Sequence, residues 1–145
     1  MLTLTSHVLY CFLFVAAVIY GNSDFVDAIG GGCCVYGDGD MDRPVMLMQL
    51  KQEHAMLWAK KNGIDGDFES LLKNPKLYEA VMKDMEEQHK KSDLSHLEKI
   101  VAVTLLNEPW TPENGCLTAA NKLQRKTVIQ TFEKDFNSLK AKGVF

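Results

Sequence analysis

The chain is 145 residues long, 46% hydrophobic and 24% charged, which suits one domain with a buried core, leaves hardly room for two and excludes a disordered chain. Sixteen Lys and Arg against nineteen Asp and Glu give a formal charge of −3, so no overall basic field attracts nucleic acid, and none is expected as a partner. The basic character is local, at Lys60-Lys61, Lys90-Lys91 and Lys122 with Arg125-Lys126, and paired lysines at helix ends are read as solvated.

Val8 to Tyr20 reads VLYCFLFVAAVIY, thirteen apolar residues without interruption. A bilayer span needs about 20, so the stretch is short for one. It has the length of a signal-peptide core, and Gly21, Asn22 and Ser23 offer a small-residue cleavage site, but Met1 to His7 carries no Lys or Arg. Three readings stay open: an uncleaved membrane anchor, a signal peptide, or a stretch from a truncated or misjoined reading frame. DFVDAIGGG at 24–32 ends in three glycines and reads as a flexible joint. The domain division is therefore a hydrophobic segment and joint over 1–32 and a folded domain over 33–145. Cys11, Cys33, Cys34 and Cys116 fit neither a disulfide framework nor a zinc spacing. They are read as reduced thiols, which points to the cytoplasm or the cytosolic face of a membrane.

In the folded part, Cys33 to Tyr36 reads as a strand, Gly37-Asp38-Gly39-Asp40 as a turn, and Val45 to Leu50 as a second strand opened by Pro44. Gln52 to Lys61 has helical composition and stops at Asn62-Gly63. A short helix follows Asp67, with Phe68, Leu71 and Leu72 on one side. Asn74-Pro75 starts a third helix, whose stripe of Leu77, Val81 and Met85 continues to about Lys91. IVAVTLL at 100–106 is apolar on both faces, which predicts an interior strand. Pro109, Pro112 and Gly115 make 107–121 mostly loop. A last helix is expected from about Leu123 to Lys140, burying Ile129, Phe132, Phe136 and Leu139. The order predicts an α+β fold, a small three-stranded sheet packed with about four helices and preceded by the hydrophobic N-terminal segment.

Asp38, Asp40 and Asp42 alternate as in a calcium loop, but its sixth position is Arg43 and its twelfth Gln49, so a hairpin turn is the better reading. His54, His89 and His96 lack ligand spacing, and no metal site is expected. Asp84, Glu86 and Glu87 read as a solvated helix face. No Ser-His-Asp pattern and no glycine-rich phosphate loop is present. The informative stretch is WTPENGCLTAANKLQRK at 110–126, a Pro- and Gly-interrupted loop entering a helix among cations. Lys122 stands at that boundary. Either Lys122 and Arg125 merely cover the first turn, or, since cations are poorly placed at a helix N-terminus, they meet an anionic partner.

ENGCLTAANKLQRK resembles the terminal lysine motif of the adenylate-forming enzymes in the version used by long-chain acyl-CoA synthetases, in which Asn114-Gly115, Leu117-Thr118, Lys122 and Arg125 stand at matching positions. The resemblance runs in register through CCVYGDGDMDRPVMLMQL, WAKKNGIDGDFESLLKNPKLYEAVMKDM and LEKIVAVTLLNEPWTPENG, covering about 33–142. It implies the C-terminal lid domain of a long-chain fatty acid–CoA ligase. In such enzymes ATP·Mg activates a fatty acid to an acyl-adenylate, coenzyme A then displaces AMP, and the lid rotates between the steps. Lys122 is implied as the catalytic lysine reaching the carboxylate and α-phosphate, and Arg125 as a cofactor-binding residue. The family version has Pro, Thr and an aromatic where this chain has Ala119, Ala120 and Asn121, which alters the loop carrying Lys122. Phosphate-loop, adenine-binding, ribose-binding and hinge segments are missing from this sequence. The expectation is therefore a chain inactive alone, binding neither ATP, Mg nor CoA tightly by itself. Its expected partner is the missing N-terminal adenylation domain or a full-length synthetase, through which it meets fatty acid, ATP and CoA. The alternatives are a non-catalytic free-standing lid that binds or regulates a full-length synthetase, held to a membrane by residues 8–20, and a gene fragment without a function of its own.

Overall fold

The computed structural model describes residues 32–143; the apolar stretch at 8–20, Cys11 and the joint up to residue 31 lie outside the described residues. Strand β1 (Cys33–Tyr36) and strand β2 (Val45–Gln49) pair antiparallel, with Cys33 opposite Met48 and Tyr36 opposite Val45. Successive strand side chains point to opposite faces, so one sequence feeds two cores. Cys33, Val35, Met46 and Met48 join the core on one face, and Cys34, Val45 and Leu47 join the core on the other. Strand β3 (Ala102–Leu106) lies parallel to β2, with Val45 opposite Ala102 and Gln49 opposite Leu106, giving a mixed sheet in the order β1-β2-β3.

The interior position expected for 100–106 is corrected here: among the described residues β2 is the central strand and β3 lies at the sheet's edge. Its unbroken apolar run comes from covered faces, not from two pairing neighbours. Val103 packs into the first core, while Ala102 and Leu106 pack into the second.

The first face is covered by helix α1 (Gln52–Lys61), helix α2 (Phe68–Leu72) and helix α3 (Pro75–Lys91), which supply Ala55, Ala59, Leu71, Leu77, Val81 and Met85. Each starts or stops where the sequence signals it. The Gly63 N–H bonds to the Lys60 carbonyl and the Ile64 N–H to the Ala59 carbonyl, with Gly63 at φ +67°, so α1 ends in a Schellman turn. The Asp67 carboxylate accepts the Ser70 N–H at 2.8 Å to start α2, and the Asn74 amide oxygen accepts the Lys76 N–H at 2.9 Å to start α3, with Pro75 in the first turn. A single 3₁₀ turn at His96–Glu98 leads into β3.

The second face is covered by helix α4 (Arg125–Thr131) and helix α5 (Glu133–Ala141), so the single last helix expected from the sequence is two. The chain breaks at Phe132, φ −109° and ψ 37°, after a run rich in β-branched residues (Thr127, Val128, Ile129, Thr131) that weakens helix propensity. The break lets Val128, Phe132 and Leu139 all enter the second core, and Val128 is fully buried while Ile129, expected inside, is half-buried. The helix also begins later than expected, because Leu123 is held in a β-bridge with Leu117.

The end of α5 is sewn to the β1–β2 connection. The Gly143 carbonyl accepts the Asp42 N–H at 2.9 Å and the Arg43 N–H at 3.1 Å. A Cβ at Gly143 would stand 2.7 Å from the Arg43 carbonyl oxygen, a backbone atom that cannot swing aside, so only glycine fits. With helices on both faces the domain is three layers deep, and the loop between β3 and α4 emerges at its edge.

Candidate functional site

The loop from 107 to 124 is more ordered than its prolines suggest. Trp110 is 2% exposed in the second core, and its backbone N–H donates to the Gln49 side-chain oxygen at 3.3 Å. Asn114 then stitches the chain from Pro109 to Cys116 together. Its side-chain oxygen accepts the Thr111 and Cys116 N–H groups, each at 3.1 Å, and its amide donates to the Pro109 carbonyl at 2.8 Å. The Thr111 hydroxyl accepts the Asn114 N–H at 3.2 Å in return. Gly115 sits at φ +76°, left-handed backbone that an L side chain rarely adopts. The Asn-Gly pair is thus an amide that gathers backbone groups and a glycine that turns the chain.

Beyond it, residues 117–123 form a small hairpin. Leu117 pairs with Leu123, and the Gln124 N–H donates to the Cys116 carbonyl at 2.8 Å. Ala119, Ala120 and Asn121 make a three-residue loop, closed by the Asn121 N–H on the Thr118 carbonyl at 2.9 Å, with Asn121 at φ +59°. A turn followed by one left-handed residue is a standard three-residue hairpin connection, and Asn is the non-glycine residue most at ease there. Ala119, Ala120 and Asn121 thus form a compact tip.

Lys122 is the first residue after that tip. Its backbone is held on both sides, its carbonyl accepting the Thr118 N–H at 2.8 Å and its N–H donating to the Thr118 hydroxyl at 3.1 Å. Its side chain is exposed, and among the described residues its ammonium has neither a hydrogen-bond nor an ion-pair partner. Lys122 therefore stands on the second arm of a hairpin, three residues before the helix, instead of at the helix boundary. A fixed backbone carrying a free, compact cation is suited to meeting an anion on another surface.

Arg125 is placed differently. Its guanidinium turns inward and donates to the Val35 carbonyl of β1, and it is half-buried. There it lies near the Cys34 thiol, whose pKa burial pushes up and the Arg125 charge pulls part of the way back. Lys122 and Arg125 thus point to different tasks, one outward and one to the edge of the sheet. Lys126 is exposed. Among the described residues no group of three or more His, Cys, Asp or Glu is arranged to hold a metal ion. His54 and His96 are exposed and His89 half-buried, and Glu86 faces Lys90 at 3.5 Å and Lys99 at 3.4 Å.

Sequence reasoning missed the cluster around Asp38. One Asp38 oxygen accepts the Tyr36 hydroxyl at 2.9 Å and meets the Lys140 ammonium at 2.5 Å, while the other accepts the Asp40 N–H at 2.9 Å. Tyr36 packs edge-on against Phe136, centroids 4.7 Å apart, and the Lys140 charge lies 5.7 Å from the Tyr36 ring. The aspartate of the calcium-like pattern is a tether between the hairpin turn and α5. Burial pushes the Asp38 carboxyl up, but hydrogen bonds from Lys140, Tyr36 and the Asp40 N–H outweigh it and hold the group below its ordinary value. The hydrogen bond to Asp38 raises Lys140 above its own. A depressed carboxyl contributes stability above its unfolded pKa and loses it as pH falls through the lower, folded one. On acidification from about pH 5 to about pH 2, Asp38→Asn should therefore lose less stability than the wild type, measured as urea midpoint against pH. Identical slopes would show that the tether contributes nothing.

The chain is 33% identical over 120 residues to long-chain-fatty-acid–CoA ligase 4 of Saccharomyces cerevisiae, a match covering 81% of the chain and 17% of that protein. It is 32% identical over 122 residues to the peroxisomal long chain acyl-CoA synthetase 6 of Arabidopsis thaliana, covering 83% of the chain and 17% of that protein. The chain thus spans about one-sixth of the length of these curated relatives. No protein-family model matches it. Its fold is similar to part of the A-PCP didomain of a carboxylic acid reductase from Segniliparus rugosus, solved with AMP, at TM-score 0.68 and 22% identity over 90% of this chain and 16% of that one. The adenylation domain of a carboxylate reductase from Mycobacterium chelonae superposes equally well, TM-score 0.68, at 17% identity over 88% of this chain and 17% of that one.

Proposed function

We propose that this chain, which is similar over about four-fifths of its length to long-chain acyl-CoA synthetases, is the lid portion of an ATP-dependent fatty acid–CoA ligase, with Lys122 as its catalytic lysine. The observation that carries this reading is the ammonium of Lys122, without a partner among the described residues, on a backbone-fixed hairpin arm in a stretch that resembles the family's lysine motif.

In the assembled enzyme a fatty-acid carboxylate oxygen attacks the α-phosphorus of ATP, the bond to pyrophosphate breaks, and pyrophosphate leaves. Negative charge gathers on the transferring phosphoryl oxygens, and a compact cation placed there stabilises that transition state more than the bound substrates. Closing the lid also keeps water from the acyl-adenylate. The thiol of CoA then attacks the acyl carbon and AMP leaves. The remaining binding groups for ATP·Mg, acyl chain and CoA belong to the larger part of the enzyme. Arg125, bonded to the β1 backbone, ties the start of α4 to the sheet.

The chain alone is expected to form no acyl-CoA from palmitate, ATP and CoA. Mixed with the yeast ligase lacking the segment that this chain matches, it is expected to restore turnover. Coupled detection of AMP and acyl-CoA checks both. Turnover by the isolated chain would sink the reading that its site is partial, and a mixture as inactive as its components would count against its being a working lid.

A further inference from the structure

We propose that Thr118 is a positioning residue for adenylation, acting through the backbone of Lys122; the proposal rests on the reading of Lys122 given above. All three hydrogen-bonding groups of Thr118 are spent on the hairpin tip. Its N–H donates to the Lys122 carbonyl at 2.8 Å, its carbonyl accepts the Asn121 N–H at 2.9 Å, and its hydroxyl accepts the Lys122 N–H at 3.1 Å. The tip itself makes no comparable connection. Ala119 and Ala120 have no side-chain polar atoms, and the exposed side-chain amide of Asn121 bonds to nothing among the described residues.

The core reaches Lys122 from two sides, through its neighbour Leu123, which packs against the second core, and across the hairpin through Thr118, whose hydroxyl is the one side-chain group among the described residues that holds the Lys122 N–H. Leu117, 4% exposed, anchors the arm in the second core, and Thr118 follows it directly. A threonine is suited to this place because its branched Cβ restricts χ1, so the hydroxyl is held toward the Lys122 N–H. Remove that hydroxyl and the Lys122 N–H can turn to water without leaving a buried orphan, so folding is little affected while the lysine's placement loosens. Misplacement of a catalytic group by about 1 Å can lower a rate by as much as about a hundredfold.

The test uses the full chain with the truncated yeast ligase and reads pyrophosphate release. Thr118→Val, which keeps the shape and loses the acceptor, should lower kcat about 10- to 100-fold with KM for ATP changed less than about twofold, and Thr118→Ser should stay within about threefold of wild type. Amide hydrogen exchange at Lys122 in the full chain gives an independent reading: faster in Thr118→Val, unchanged in Thr118→Ser, with β2 unaffected in both. Full activity in Thr118→Val beside an inactive Lys122→Ala would overturn the role of Thr118 and leave that of Lys122 standing. Full activity in Lys122→Ala would remove the reading beneath it. Exchange raised across β2 as well as at Lys122 would make Thr118 a residue of the fold, and that too overturns the proposal.

Discussion

Lys122→Ala, in the chain assembled with the rest of a synthetase, should slow acyl-adenylate formation about 10²- to 10³-fold, the loss seen when one preorganised charge-stabilising group is deleted. The loss should fall on kcat, since the cation is needed most where phosphoryl charge builds up. Thioester formation from supplied acyl-adenylate should be spared, because the proposed role belongs to the first half-reaction alone. Lys122→Arg should rescue poorly: a guanidinium is planar and wider, and its charge is spread where a compact ammonium would fit. The unfolding midpoint should not move, since the side chain is exposed and unpartnered among the described residues. Separate rate measurements of the two half-reactions decide it, and equal losses in both would mean that Lys122 acts in docking instead of in adenylation.

Trp110 carries the second large effect, on stability. At 2% exposure it fills the second core beneath the loop that leads to Lys122. Truncation to alanine should cost about 3–5 kcal/mol, a large share of the roughly 5–15 kcal/mol available to a domain of this kind. Trp110→Phe should behave quite differently. The indole N–H is buried without a partner among the described residues, so its removal strands no other group. A phenyl ring refills most of the space, and the loss should stay below about 1.5 kcal/mol. Urea unfolding of the full chain separates the cases. Comparable losses for both substitutions would mean that the N–H has a partner after all, such as an ordered water.

Much of this fold was readable from local signals. The bounds of β1 and α1, the start of α2 after Asp67, the cap at Asn74, and the Leu77, Val81 and Met85 stripe depend on neighbouring residues, and periodicity reports them well. What escaped depends on partners distant in sequence. An apolar run reports two covered faces but not two pairing edges, so 100–106 gave no sign that β3 lies at an edge. The stripe through Phe132 suits one helix or two, and it is the shared core that bends the chain there. At the site, the motif pointed to Lys122 and Arg125 together, yet only a bond from Arg125 to Val35, ninety residues away, shows that one turns inward. The tether from Asp38 to Lys140 had no local mark at all, because its aspartate read as part of an ordinary turn.

The mixed sheet also sets an order of assembly. β1 and β2 close across a short turn, whereas the β2–β3 ladder must bring Val45 beside Ala102, with three helices strung between them. Loop-closure entropy rises with that separation, and parallel pairing gives nothing back until both strands are in place. The hairpin can therefore form as soon as it leaves the ribosome, while its central strand waits with one edge unpaired for β3. During that interval Val45 to Gln49 is the stretch most open to pairing with another copy, and the speed with which α1 to α3 gather becomes the chain's protection against aggregation.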